Sequence, residues 1–474
     1  MKDRYKIQLA SLFMTWSGQD ILRMEELPPS GSNREYVRIF GPDDTAIGVF
    51  NPDRKENRAF LSFSKHFKEY GLPVPLVYAE SEDGLLYLEE DLGNVTLFSF
   101  LTEVREQEGF TEEIIRVYEK VLDHLVRFQV EAGPSVDYSV CYPRASFDKQ
   151  SMLWDLHYFK YYFLKLAKVA FDEQLLEEDF HHFSDYLISA GQEYFLYRDF
   201  QSRNVMLIKG EPFFIDYQGG RRGALYYDPA SLLYDAKADL PEEVRQHLLD
   251  YYRASIQGKI KIDPDVFVKY FQGFVLIRIM QTLGAYGFRG FYEQKAHFLQ
   301  SIPYAVQNLE NLLERISLPV ELPALTKVWK DIIANQSLRS FPQTYPGLTV
   351  KITSFSYKNG IPMDETGHGG GFVFDCRALP NPGRLEQYRE LTGKDETVIR
   401  FLDERREVQE FFENVKEMVS RSVEDYLQRN FHHLMVSFGC TGGQHRSVYM
   451  AEKLAKYLQE KYDVQVVLKH REKE

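Results

Sequence analysis

Hydrophobic positions follow three successive rhythms along this chain. Ile7, Leu9, Leu12, Phe13 and Trp16 recur at helical intervals and predict an amphipathic helix over residues 5–26, stopped by Leu27-Pro28-Pro29. Tyr36-Val37-Arg38-Ile39-Phe40 and Ala46-Ile47-Gly48-Val49-Phe50 then alternate around the turn residues Gly41-Pro42-Asp43-Asp44, which predicts a hairpin. Phe60, Phe63, Phe67 and Tyr70 predict a helix over about 55–70, followed by strands at Leu76–Ala79 and Leu85–Leu88. From 96 to 318 the spacing is mostly helical, as in the stripe Ile114, Val117, Tyr118, Val121, Leu122, Leu125 and Phe128. The main interruption has short strands predicted at Leu196–Arg198, Val205–Ile208 and Phe213–Ile215.

Pro319, Pro323, Pro342 and Pro346 surround one short helical segment and predict a linker over 319–348. Strands follow at Val350–Phe355 and Phe372–Asp375, then a long amphipathic helix through Val408, Phe412, Val415, Val419 and Val423. Leu434–Phe438, a Gly-rich loop, a helix over 446–461 and Val464–Leu468 complete a βαβ unit. These rhythms predict a multidomain α+β protein. Residues 1–95 form a small, mostly antiparallel lobe and 96–318 a helical lobe, a two-lobed protein-kinase-like fold, followed after the linker by a smaller α/β domain at 349–474.

Composition narrows the picture. A chain of 474 residues exceeds the usual single core, and 44% hydrophobic with 27% charged residues is an ordinary globular balance. A formal net charge of -13 argues against a protein built mainly to grip a nucleic-acid backbone. Residues 349–474 are nearly neutral, with 19 Lys and Arg against 20 Asp and Glu, so a polyanion would dock there in preference. Three cysteines without a paired framework favour a reducing compartment. No run of about 18 apolar residues is apparent, so no membrane partner is expected and the cytoplasm is the default location.

The candidate chemistry starts at the break in the helical lobe. In Tyr197-Arg198-Asp199-Phe200-Gln201-Ser202-Arg203-Asn204, followed by Phe214-Ile215-Asp216, two carboxylates and a carboxamide have the spacing of a phosphoryl-transfer site. Asp199 would orient an attacking hydroxyl, and Asn204 and Asp216 would hold Mg²⁺. The turn Ser30-Gly31-Ser32-Asn33-Arg34 would either cover phosphates through its backbone N–H groups or serve as a plain hairpin turn. Asp228 before Pro229 reads as a helix N-cap.

With Ser30–Tyr36, Leu88-Glu89-Glu90-Asp91-Leu92-Gly93, Tyr197–Asn204, Phe214–Gln218 and Tyr227–Asp235, residues 1–318 resemble the aminoglycoside-phosphotransferase branch of the kinase fold. Within it they look like the AmgK-type kinases of N-acetylmuramate and N-acetylglucosamine. The resemblance implies ATP and Mg²⁺ as cofactors, Glu89 and Glu90 beside the adenine, and an amino sugar as acceptor, in amino-sugar metabolism and cell-wall recycling. One departure stands out: Ala46–Phe50 carries no phosphate-binding lysine. Arg34, Arg38, Lys55 and Arg58 are the substitutes in view, with Glu56 to orient one of them.

The second candidate site is Gly439-Cys440-Thr441-Gly442-Gly443-Gln444-His445-Arg446-Ser447, between a strand and a helix. Converging N–H groups, a helix N-terminus and Arg446 suit an anion. The spacing also fits the C-x5-R-[ST] loop of cysteine phosphatases, with Cys440 as thiolate, while the bland reading is a structural turn. His368, Gly369, Gly370 and, further on, Arg377 form a second cluster that would face this loop. Through Gly367–Arg377, Leu379-Pro380-Asn381-Pro382 and Gly439–Tyr449, residues 349–474 are similar to the C-terminal domain of RapZ, a bacterial adaptor. That resemblance implies an amino-sugar phosphate as ligand. It also brings in RNA as a partner, which the acidic balance disfavours. The expectation is an ATP-dependent small-molecule kinase joined to a sugar-phosphate-binding domain. The alternatives are a regulatory sensor or RNA adaptor with a degenerate kinase, and a C-terminal cysteine phosphatase.

Overall fold

The computed structural model describes residues 1–28, 34–293, 295–339, 348–363, 371–428, 431 and 433–472. The chain divides into two units, Met1–Phe341 and Pro342–Glu474.

The first unit begins with helix α1 (Asp3–Ser17), which Gly18 ends in a left-handed conformation. The helix expected over 5–26 is therefore shorter. Arg23–Glu26 is instead strand β1, an exposed edge strand paired antiparallel with β2 (Glu35–Phe40). With β3 (Thr45–Phe50), β4 (Val77–Glu80) and β5 (Leu86–Glu90) it makes an antiparallel sheet in the order β1-β2-β3-β5-β4. Leu9 and Phe13 of α1 pack on one face with Val37, Ile39, Ala46 and Leu88. Helix α2 (Arg54–Glu69) covers the other through Phe60, Phe63 and Phe67, against Ile47, Val49 and Tyr87. Burial on both faces explains why β3 reads as a nearly unbroken apolar run, with no position left for a lysine.

The larger lobe is helical: α3 (Leu97–Glu108), α4 (Glu112–Val126), α5 (Lys149–Phe159) and α6 (Glu173–Ile188) come first. The stretch holding the candidate catalytic residues consists of β6 (Tyr194–Leu196), the hairpin β7 (Val205–Ile208) and β8 (Glu211–Phe214), and β9 (Arg221–Gly223), which pairs back onto β6. Then come α7 (Tyr227–Leu233), α8 (Glu242–Gln257), α9 (Pro264–Tyr286), α10 (Ala296–Leu299) and α11 (Ile302–Leu313). By length and composition the stretch Pro264–Tyr292, which includes α9, is apolar enough to cross a membrane, a candidate the sequence reading did not single out. Much of it is buried in the core, where α9 packs against α5, α7 and α11.

The stretch expected as a linker over 319–348 is largely structured. Pro323 starts helix α12 (Pro323–Ala334), and α13 (Gln336–Arg339) follows. Leu325, Val328, Trp329, Ile332 and Leu338 are buried in the first unit's core, and the division between Phe341 and Pro342 falls inside the stretch expected as the linker.

The second unit has a fully parallel sheet in the order β11-β12-β10-β13, from β10 (Leu348–Ser356), β11 (Gly371–Asp375), β12 (His433–Cys440) and β13 (Val464–His470). Helices α14 (Glu396–Asp403), α15 (Arg406–Gln428) and α16 (Arg446–Lys461) accompany it. Val415, Val419, Met450 and Leu454 pack on Val350, Ile352 and Val436 in its core.

Candidate functional sites

Strand β6 leads into the candidate catalytic loop. Tyr197 is fully buried, with its hydroxyl donating to Ile215 O at 2.6 Å. Arg198 follows at φ +83°, an uncommon backbone state for a non-glycine residue. Its guanidinium forks onto Asp155 of α5 at 2.6 and 2.8 Å and meets the Tyr227 hydroxyl at 2.7 Å. The Tyr197 and Arg198 N–H groups both donate to Asp228, at 2.8 and 3.0 Å. Asp228 therefore does not cap its helix, as expected from the sequence: it lies inside α7 and holds the loop's backbone. Burial pushes its pKa up to about 7, although the Tyr197 and Arg198 amides and Gln129 pull the other way.

Asp199 is the next residue. Burial and then the nearby Asp216 raise its pKa above the ordinary carboxylate value, while Arg198, Arg278 and Arg221 oppose the shift. Asn204 donates to Asp199 O at 2.9 Å and to Asp216 Oδ2 at 3.1 Å, and Ile215 N–H donates to Asn204 O at 3.1 Å. Asp216 stands at φ +69°, with Oδ1 accepting from Gln218 at 2.5 Å. The three sequence-identified residues thus lie on one network.

Facing Asp216 is Arg34, one of the four candidate cations. Arg34, only 3% exposed, places Nη1 3.6 Å from Asp216 Oδ1 and Nη2 3.6 Å from Glu56 Oε1. Glu56 sits in the first turn of α2, which Asp53 caps, and Asn51 donates to its other oxygen at 2.7 Å. Of the other candidates, Arg38 is engaged by Asp91 at 2.7 Å and by Gly93 O and Asn94, bracing the segment after β5. Lys55 lies over the Tyr142 ring. Glu89 is near Arg34; burial raises its pKa to about 8, which Arg34 opposes. Glu90 is turned to the Leu76 N–H at 3.0 Å. Ser30, Gly31, Ser32 and Asn33 lie outside the described residues.

Among the described residues no group of three or more His, Cys, Asp or Glu is arranged for a metal ion. Mg²⁺ at a phosphate site takes one or two protein carboxylates and completes its shell with water and phosphate oxygens. Asp216, whose Oδ2 accepts from the Asn204 amide at 3.1 Å, offers a carboxylate of that kind.

In the second unit β12 ends at Cys440, buried at 3% exposure, with Sγ 3.1 Å from Ser447 Oγ. Burial pushes the thiol up, but the Ser447 hydroxyl and the N–H groups of Ser447, Gly443 and Gly442 outweigh it and bring the pKa below the ordinary thiol value. These N–H groups make a nest for negative charge at the start of α16. Thr441 and Gly442 are exposed beside it. Arg446 donates through Nη1 to the Arg377 and Leu379 carbonyls at 2.7 and 3.0 Å, while its Nε has no hydrogen-bond partner among the described residues. His445 is turned to Tyr388 O at 2.8 Å, away from the nest, and Gln444 to the Arg389 and Leu391 carbonyls. Arg377 is exposed, its side chain forked onto Asp375 at 2.7 and 3.0 Å. His368, Gly369 and Gly370 lie outside the described residues.

The sequence reading did not single out Asp155, Arg221 or Arg278. Asp155 left a faint signal, a carboxylate inside the apolar run Met152, Leu153, Leu156 and Phe159.

A strand-rich lobe, a helical lobe and this loop define a kinase-like phosphotransferase fold, joined to an α/β domain. Residues 24–262 match the phosphotransferase enzyme family, half of the chain, and the protein belongs to that family. Residues 348–474 match the RapZ C-terminal domain. A nucleotide-binding protein of Aromatoleum aromaticum is 38% identical over 178 residues, 37% of this chain and 56% of that protein. One from Thioalkalivibrio sulfidiphilus is 41% identical over 125 residues, 26% of this chain and 42% of that protein. The chain thus spans about half the length of the curated relatives it matches. Solved structures with similarity include a thermostable mutant of aminoglycoside phosphotransferase APH(4)-Ia, at 13% identity and TM-score 0.41, covering 63% of this chain and 98% of that one. Choline kinase from Cryptosporidium parvum Iowa II has 12% identity and TM-score 0.43, covering 62% of this chain and 91% of that one.

Proposed function

We propose that residues 1–318 are the lobes of an ATP- and Mg²⁺-dependent kinase that phosphorylates a hydroxyl of an amino sugar of the N-acetylmuramate or N-acetylglucosamine type, and that residues 349–474 bind an amino-sugar phosphate. The observation carrying the reading is the pairing of the Asp199–Asn204–Asp216 network with the Arg34–Glu56 ion pair at one site. Asp199 orients the acceptor hydroxyl and takes up its proton; its raised pKa makes it the stronger base. Asn204 and Asp216 would hold Mg²⁺, which when bound neutralises charge across the phosphates. Arg34, positioned by Glu56, meets the phosphates with a planar fork where a lysine would present a point charge. The bare β3 favoured a sensor without turnover; with Arg34 supplying the cation, that feature loses its weight. In the second unit, the amides at Gly442 and Gly443 with the free Nε of Arg446 receive the sugar phosphate.

ADP release is to be followed with ATP and Mg²⁺ over N-acetylmuramate, N-acetylglucosamine and glucosamine. The expected result is sugar-dependent ADP release that falls by roughly 10²–10⁴-fold in Asp199→Ala. No sugar dependence, or full activity in that variant, contradicts the reading.

A further inference from the structure

Two guanidinium groups beside Asp199 have no role in the chemistry described so far. Arg221 opens β9 and pairs in register with Leu196, three residues before Asp199, and is 7% exposed. Its Nε donates to Gly219 O at 2.9 Å and its Nη2 reaches Tyr142 O at 3.5 Å. Gly219 in turn abuts Asp199: a β-carbon there would lie 3.4 Å from Asp199 Oδ2. Arg278 comes from α9 and is 8% exposed. It donates to the Ser231 hydroxyl at 2.8 Å, the Thr282 hydroxyl at 2.9 Å and the Gln281 side chain. Both arginines are within electrostatic reach of Asp199.

Among the described residues the hydrogen-bond partners of these two groups are neutral, and neither forms an ion pair with a carboxylate. Arg198, the third arginine here, is matched by Asp155. Asp216 is turned to Arg34 and Asp228 accepts from the N–H groups of Tyr197 and Arg198, so Arg198, Arg221 and Arg278 share Asp155 and Asp199, a local surplus of one positive charge within a chain of net charge -13. Buried cations are ordinarily paired, because removing a guanidinium from water is costly unless an anion compensates. A cationic acceptor would add to the surplus, whereas a carboxylate would cancel it with the fork geometry that arginine favours. The nucleotide phosphates already have Arg34, on the Asp216 side.

We propose that Arg221 and Arg278 form an anion-reading subsite for the acceptor, which selects sugars bearing a carboxylate over their neutral counterparts. The inference rests on Asp199 being the acceptor-side base of the kinase proposed above.

N-acetylmuramate and N-acetylglucosamine are a matched pair, differing only in the lactyl ether that carries the carboxylate. The wild type is expected to prefer the former in kcat/KM by at least about tenfold. Arg221→Gln and Arg278→Gln each reduce that ratio by ~10- to 100-fold, the range set by one charge-assisted hydrogen bond, mainly through the sugar KM. Arg278→Lys restores part of it. A wild type that favours the neutral sugar or does not discriminate overturns the proposal without any variant, which covers variants that fail to fold. So does a ratio intact in both variants, or a loss confined to the KM for ATP, which would assign the arginines to the nucleotide. If no sugar is phosphorylated, the kinase reading fails, and calorimetric titration with the two sugars decides the subsite. Tighter N-acetylmuramate binding lost in both variants supports it; equal or absent binding overturns it.

Discussion

Replacing Arg34 by methionine removes a charge while keeping most of the side chain's bulk. At 3.6 Å and an effective dielectric of about 20, each contact with Glu56 and Asp216 carries roughly 4–5 kcal/mol of Coulomb attraction before desolvation is subtracted. Both carboxylates are partly exposed, 29% and 39%, so water takes over much of what the arginine gave them. The net stability loss is then about 1–3 kcal/mol. Catalysis responds differently, because the phosphates lose a charged donor worth about 1.5–3 kcal/mol, or roughly 10- to 150-fold in kcat/KM for ATP. Arg34→Lys keeps the charge without the fork and lies between wild type and methionine. The assay is ADP release over an ATP titration, with urea unfolding to separate stability from function. If Arg34→Met stays folded and keeps its kcat/KM for ATP within twofold of wild type, Arg34 is not the phosphate cation. A Glu56→Gln variant must then also be silent, since its function is to position Arg34.

Three other outcomes follow from the same geometry. Because burial and Asp216 raise the pKa of Asp199, the ionised base is lost as pH falls through that raised value, so the acid limb of kcat/KM lies above the ordinary carboxylate range; a limb near pH ~4 contradicts the assignment. Asp228→Ala leaves two buried N–H groups without acceptors and is expected to cost about 2–5 kcal/mol in urea unfolding. With a folded pKa of about 7 against an ordinary 3.8, Asp228 takes up protons on folding, so its contribution to stability declines as pH rises through that window, a slope that Asp228→Asn should remove. Gly443 stands at φ +67°, and an added β-carbon would press on Ser356 N at 3.0 Å and on the Glu472 side chain, so Gly443→Ala is expected to abolish binding of glucosamine 6-phosphate by the second unit in calorimetry.

The parts of the fold legible in the sequence were those where one face decides the pattern. Helix α15 showed its stripe of Val408, Val415, Val419 and Val423, and β7 and β8 were flanked by recognisable turns. Strand β1 was not legible, because Arg23, Glu25 and Glu26 are exposed and Met24 alone of its residues packs on the core, which leaves no alternation to read. Pro323 looked like a breaker yet occupies the first turn of α12, where a missing N–H costs nothing. At the site, Asp199, Asn204 and Asp216 could be read because the loop's chemistry requires fixed spacing. Arg34 could only be named among four cations, since the choice depends on which one the fold buries beside Glu56 and Asp216. Asp228 was misread for a related reason: its partners lie about thirty residues earlier, in the catalytic loop.

Phosphorus NMR of the protein with ATP, Mg²⁺ and N-acetylmuramate follows the phosphoryl group itself. The γ-phosphate signal is expected to decline as a sugar phosphomonoester and ADP appear, and this conversion is expected to collapse in Asp199→Asn. A γ-phosphate that persists, or that turns only into inorganic phosphate, contradicts it.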